Sequence, residues 1–519
     1  MSRGGGGGLT GVEQTGLAVG LVLAAGLMWP LRGYLTDDTF IHLQYARHLA
    51  AGRGLVFNLG ERVYGCTSPL WAAWLAVGMR LGLEGLGWAR VSGCAATLAS
   101  VVVFLGLLRR TVPTPAVRAA ATVAWAGHAW MLRWSVSGME TPLAVLLVLA
   151  GFSAFRGDGE PGERPARTGT LWALAALTRP EASVLLLLWG ASLISAAENR
   201  EGVRRLIAGS LPPVLLYGGW LLWAYLYYGT VWPSTLAAKA AGGTALEFQL
   251  ENLRRPLELV GATDGALLAA LALALGFGGR AVWTSAGFGA PSLVPWVWVL
   301  VLPALYVGRG VPVLSRYLLP LSPVLAWLAW RAVNAWWLGL GAAPAASRRV
   351  GWLGAALATI VLAQNLAVFR GAVIPHVRTF SPALERSLVR WGTWFHDHTA
   401  QAAVIAAPDI GMIGYFSGRR VVDLAGLVTP QMVPFLNREA PEEAVARFRF
   451  AEFSRPDFLV DRSDAPGALR RRSPYGPCLT TLGSAGVPNL GIARPHPAVY
   501  TLYRVDWAVF DSLKTVPPR

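Results

Sequence analysis

The stretch TDDTFIHLQYARHLAAGRGLVFNLGERVYGCTSPLW, residues 36 to 71, puts two adjacent carboxylates, Asp37 and Asp38, directly after an apolar segment. That segment, Gly16 to Leu31, is hydrophobic enough to enter a bilayer. It lacks a clear small-residue cleavage site and further apolar stretches follow, so it reads as an uncleaved first spanning helix rather than a signal peptide. Two acids at the end of a spanning helix point to chemistry at a membrane surface.

Within the stretch, Asp38 predicts an N-cap for a helix over residues 39 to 51, with Gly52 and Gly54 as stops. A cap does not account for the second acid. Nor does it account for His42, four residues after Asp38 and on the same helical face.

Composition agrees with a membrane protein: 54% of residues are hydrophobic and 14% charged, with a mean hydropathy of +0.45. The net charge of +16 comes from 45 Lys+Arg residues, all but Lys239 and Lys514 being arginine. They are scattered between hydrophobic segments, which fits loops facing anionic lipid and argues against nucleic acid as a partner. Cys66, Cys94 and Cys478 form neither a metal spacing nor a disulfide framework.

Further candidate spans lie at 69 to 84, 88 to 108, 116 to 132, 141 to 156, 169 to 195, 205 to 228, 263 to 283, 291 to 307, 312 to 335 and 350 to 374, about eleven with the first. Arg109 and Arg110 fit this count awkwardly if the segment after the first helix is external. The chain divides into a transmembrane domain over 1–374, with a first external loop at 36–68, and a soluble domain over 375–519. In the second part, AAVIAA, RVVDLAG, DFLV and AVYTLYRV predict strands of a small α/β unit, with helical EEAVARFRFAEF between them.

The run from Asp37 to Trp71 resembles the first external loop of the GT-C superfamily of polyprenyl-phosphate-sugar-dependent glycosyltransferases, in the branch of the mycobacterial terminal β-(1→2) arabinofuranosyltransferases. SGMETPL at 137–143, LTRPEAS at 177–183, YYGTVWPSTLAAK at 227–239, SRYLLPLSPVL at 315–325 and PDIGMIGYFSGRRVVDLAGL at 408–427 resemble further family blocks in family order. Cys66 departs from the pattern, standing where an aromatic is expected.

The resemblance implies an α-helical polytopic membrane protein of GT-C fold with an extracytoplasmic C-terminal α/β domain, in a bacterial plasma membrane. It implies an inverting transfer of a sugar, arabinofuranose by the branch, from a polyprenyl-phosphate donor to a cell-envelope glycan acceptor. Asp37 or Asp38 then serves as the base that takes the proton of the attacking hydroxyl. A transporter or flippase of lipid-linked sugar is the alternative, although the internal repeats common in such carriers are not evident.

The leaving lipid phosphate needs fixed cations, and Arg179, Lys239 and Arg316 are the candidates. Arg179 has a plain structural reading as a buried ion pair with Glu181 or Glu140, and Lys239 has one as a snorkelling anchor. His42, Glu140, Glu181 and Tyr317 are candidates for contact with sugar or acceptor; Glu140 could equally serve a helix N-terminus, and Arg316 with Tyr317 an interfacial belt. Asp409 and Asp423 bracket a Gly-rich stretch without phosphate-loop spacing and read as turn caps, with a weaker reading in shaping the acceptor side. The histidines form no metal-binding motif, so no metal site is expected. A divalent cation held between Asp37, Asp38 and the lipid phosphate is the one cofactor these residues suggest.

Overall fold

The computed structural model describes residues 8–155, 165–195, 197, 199–235, 246–285, 293–311, 313–340, 345–488 and 497–514. Among them, five helices are long and apolar enough to cross a membrane: Gly11–Leu31, Gly85–Thr111, Arg200–Tyr228, Asn252–Phe277 and Arg348–His398. Thr141–Ala154, Pro180–Ser195 and Val294–Gly308 are shorter apolar helices.

The first helix begins with a reciprocal cap in which Thr10 and Glu13 satisfy each other's main chain. Glu13 is fully buried there and pairs with Arg118 at 2.7 Å and Arg109 at 3.4 Å. Arg109 therefore stands at the start of the first helix, at the end opposite Asp37.

This arrangement corrects the expected span at 69 to 84. The helix there, Pro69–Arg80, has 12 residues, a rise of about 18 Å, which is too short to cross hydrocarbon. It packs beside the Asp37–Ala50 helix, and the 27-residue Gly85–Thr111 helix makes the return. Removing that one crossing reconciles the two arginines with alternation.

Two other expected spans are interrupted. The stretch 116 to 132 divides into Pro115–Ala126 and Ala129–Ser135, because the His128 ring accepts the Met131 amide and starts a new helix. The stretch 312 to 335 divides into Ser315–Leu318 and Ser322–Gly339, which sets Arg316 and Tyr317 on a separate turn. At the proposed boundary near 374, helix continues to His398. Pro375 and Pro382 lack amide donors for the helical ladder, and a π-turn lies near each, at Phe369–Val373 and Glu385–Val389.

Beyond that helix, five strands form one sheet: β1 (Val404–Ala407), β2 (Arg420–Asp423), β3 (Phe458–Ser463), β4 (Leu479–Val487) and β5 (Ala498–Val505). Their order is β2-β1-β3-β5-β4. β1 runs parallel to β2 and β3, whereas β5 runs antiparallel to β3 and β4. The four expected strands are present, and β4 is an addition. Its sequence, LTTLGSAGV, carries a bulge between Thr481 and Gly483 and little apolar alternation, so it gives a weak strand signal. The expected helical stretch EEAVARFRFAEF breaks at Phe448, whose φ is +54°.

Strand alternation gives the sheet two unlike faces. One face, with Ile405, Val421, Val460, Tyr500 and Leu502, shares a core with Phe40, Leu43, Tyr45 and Trp71 of the segment 36–71. The other, with Ala406, Val422, Leu459 and Tyr503, packs beneath Met432, Phe448, Phe450 and Phe510. The helices have a separate large core.

A buried polar cluster ties three parts of the helical domain together. His128 Nε2 lies 3.3 Å from Asp264, which also accepts from Thr263. Asn365 accepts the Ala129 amide and donates to the Thr263 carbonyl. Removing one partner strands a buried polar group, whereas replacing both with apolar residues need not. Asp264→Leu should therefore cost about 1–3 kcal/mol, and His128→Phe combined with Asp264→Leu should cost less than Asp264→Leu alone, as read by thermal unfolding in detergent.

Candidate functional site

The Asp37–Ala50 helix starts two residues earlier than expected, with Thr36 at the N-cap and Asp37 and Asp38 both in the first turn. Asp38 is therefore not the cap. Both acids sit where the helix dipole favours negative charge, yet they point to different partners.

Asp37 faces the sheet domain. Its Oδ2 accepts from the Gly411 amide at 2.8 Å and its Oδ1 from the Met412 amide at 2.7 Å. Gly411 is required by closeness: a Cβ there would lie 2.0 Å from the Asp37 carbonyl oxygen. Burial and the nearby Asp409 raise the Asp37 pKa, against the pull of the two amides. Asp409 is itself held by Arg462 at 2.7 Å and by the Tyr500 hydroxyl at 2.6 Å. It serves this cluster rather than capping a turn, while Asp423 does cap one, accepting from Ala425 and Val428.

Asp38 faces the helical domain and is paired with Arg316. The side chain of Asp38 remains 42% exposed and that of Arg316 only 7%. The Arg316 guanidinium lies over Trp134 at 5.3 Å and Tyr317 at 5.2 Å. Tyr317 stacks on Tyr306 with centroids 4.8 Å apart.

One turn along, His42 Nε2 lies 3.3 Å from Glu140 Oε2. Glu140 Oε1 accepts from Arg179 Nη1 at 2.9 Å, and Arg179 also holds Glu181 at 2.6 Å. The Tyr306 hydroxyl accepts from Arg179 at 3.0 Å and donates to Glu181. Both ion pairs weighed from sequence for Arg179 are thus made. Burial works against charge on His42, but Cys66 and Glu140 more than offset it and raise its pKa to about 9. For Glu140, burial is likewise outweighed by His42 and Arg179, which hold it down at about 2.

The structure brings together Asp37, Asp38, His42, Glu140, Arg179, Glu181, Arg316 and Tyr317, whereas Lys239 lies outside the described residues. The turn carrying Glu140 is fixed by Gly138, at φ +81°, whose carbonyl accepts from Trp71 while Thr39 bonds to Ser137. Trp134, Tyr306, Arg462 and Tyr500 join the site without a sequence signal, since each lies in an ordinary apolar helix or strand. No group of three or more His, Cys, Asp or Glu residues able to hold a metal occurs among the described residues.

A family model described as a domain of unknown function (DUF8728) matches residues 378–510. The terminal β-(1→2)-arabinofuranosyltransferase of Mycobacterium tuberculosis is 31% identical over 255 residues. That match covers 44% of this chain and 39% of the relative's length. ArnT from Cupriavidus metallidurans, solved bound to undecaprenyl phosphate, superposes with a TM-score of 0.52 at 13% identity over 94% of this chain and 97% of that one. The mycobacterial arabinofuranosyltransferase AftD superposes with a TM-score of 0.51 at 20% identity over 94% of this chain and 40% of that one. The fold is the GT-C fold.

Two outcomes follow from this geometry. Gly411→Ala should separate the Asp37 anchor from the sheet domain, lowering the unfolding temperature and speeding protease cleavage near residues 399–403. For His42 the raised pKa means that stability from its pair with Glu140 is complete below about pH 6.5 and is lost as pH rises through about 9. Thermal unfolding from pH 6.5 to 9.5 should show a loss on the order of 1–3 kcal/mol that is absent in His42→Gln.

Proposed function

We propose that this chain is a membrane glycosyltransferase that moves a sugar from a polyprenyl phosphate to a hydroxyl of a cell-envelope glycan. The likeness to ArnT, solved with undecaprenyl phosphate, supports a lipid-phosphate donor. The likeness to the arabinofuranosyltransferase supports arabinofuranose as the sugar. Transfer takes place on the membrane face that carries the sheet domain, the extracytoplasmic side of a bacterial plasma membrane.

The observation that carries the reading is the pairing of Asp38 with Arg316. The chemistry needs a carboxylate to take the proton from the attacking hydroxyl and a cation for the departing phosphate. Asp37 has both oxygens engaged by main-chain amides, so its part is to position the helix. Asp38 keeps an exposed side chain and is assigned as the base. A lipid phosphate that takes Arg316 as its counter-ion leaves the Asp38 carboxylate available to accept a proton, which links donor binding to activation of the acceptor. Direct displacement by the acceptor oxygen then inverts the anomeric centre without a covalent intermediate.

Arg179, shared between Glu140 and Glu181, has its charge already answered and holds the floor of the site. His42, Glu140 and Tyr317 shape the space where sugar and acceptor meet. Lys239 stays a candidate for the phosphate on sequence alone. A divalent cation between Asp37, Asp38 and the lipid phosphate likewise stays a candidate on sequence alone.

Transfer by the purified full chain from a panel of polyprenyl-phosphate sugars to a mixed glycan acceptor tests the assignment. Asp38→Asn should lower kcat by about 10²–10⁴-fold with donor binding retained, and Arg316→Gln should weaken donor binding. A protein that transfers no sugar yet carries labelled lipid-linked sugar across a proteoliposome membrane would be a flippase, and the transferase reading would fail.

A further inference from the structure

The outward face of the sheet carries a second concave site, away from the carboxylates. A cavity of about 500 Å³ is lined by Pro466, Gly467, Arg470, Arg471, Thr481 and Ser484. From its residues we infer that it binds an acidic saccharide, a hydroxyl-rich ligand bearing carboxylate or phosphate groups.

Strand register fixes where this site lies. Asp461, Thr501 and Ser484 are cross-strand neighbours on β3, β5 and β4, as are Leu459, Tyr503 and Thr481 in the next row. Leu459 and Tyr503 belong to the outward core. Arg462 and Tyr500, which hold Asp409 beside Asp37, lie one position off these rows and so on the opposite face. The cavity and the Asp37 cluster are therefore separated by the thickness of the sheet.

The chemistry of the lining is also fixed. Gly467, at φ +67°, turns the chain into the Ala468–Arg472 helix and donates its amide to Thr501 Oγ1 at 3.2 Å. Thr501 Oγ1 lies 3.1 Å from Ser484 Oγ, so the hydroxyls of the floor are mutually oriented. Arg471 Nη1 donates to the Pro466 carbonyl at 2.8 Å, which holds its guanidinium along the rim. Arg472 turns toward Asp461, 3.7 Å away. Arg470 is exposed, and among the described residues that line the cavity there is no carboxylate.

Two guanidinium groups select an anion and can grip it in a bidentate manner. Hydroxyls from Thr481 and Ser484 offer donors and acceptors that match sugar hydroxyls. A flat lipid-binding surface would need an apolar anchor directed at the bilayer. Here the opposite face of the sheet is the one that packs on the segment 36–71, so the cavity lies on the side of the sheet turned away from that segment and from the Asp37 helix. That orientation favours a soluble glycan over a lipid headgroup.

Binding to the full-length protein in zwitterionic nanodiscs tests the site, with tetragalacturonate as the acidic probe and maltotetraose as the neutral one. Wild type should bind tetragalacturonate at least about tenfold more tightly than maltotetraose. Arg470→Gln combined with Arg471→Gln should lose at least about tenfold in that affinity with the unfolding temperature unchanged. Thr481→Val should weaken it several-fold, and decides the matter should the double variant fail to fold. Equal affinity for both probes, or unchanged binding by the variants, would overturn the assignment. So would binding to phosphatidylglycerol vesicles that the arginine variants abolish, with no affinity for tetragalacturonate. The readout is binding, so this site stands or falls independently of the transfer reaction.

Discussion

The carboxylate of Asp37 takes two main-chain N–H donors from the sheet domain, and through that contact the two parts of the chain are held as one site. Amides at a helix N-terminus are strong donors for an anion, and the absence of a side chain at Gly411 lets the two backbones meet. The surrounding contacts repeat the theme. Phe40 packs on Tyr415 and Phe416, Arg47 donates to the Tyr415 carbonyl, and Asn58 pairs with both main-chain groups of Val421 along the open edge of β2. Leu35 donates to Ser381 on the long helix that leads into the sheet domain.

On the opposite side of the same helix, charge is balanced rather than merely accumulated. Asp38, Glu140 and Glu181 face Arg316, Arg179 and His42, whose pKa is raised. Buried ions are costly unless paired, and three acids facing three bases meet that condition while leaving exposure concentrated at Asp38. The aromatic rings of Trp134 and Tyr317 add a low-dielectric wall over which the guanidinium groups of Arg316 and Arg179 lie.

Much of this was legible in the linear chain because its signals are local. A pair of acids at the end of an apolar segment, an arginine inside one, and a histidine one turn from an aspartate are costly placements that stand out against hydrophobic surroundings. The helix count was less legible. Pro69–Arg80 is apolar enough to look like a span, and its shortness appears only where Arg80 ends it and Gly85 starts the return. Strand β4 was hidden because a bulge and a solvent-facing surface erase the alternation on which strand reading depends.

By itself, the sequence determined the membrane character, the small strand-rich domain after the helices, and the set of charged residues that could not be left unpaired. The tertiary structure alone decided which of them pair. Asp37 and Asp38 are neighbours in sequence, but successive residues on a helix point about 100° apart, so one meets the sheet domain and the other meets Arg316. Partners 278 and 374 positions away in the chain cannot be read from local pattern, because only packing sets which helix end lies beside which.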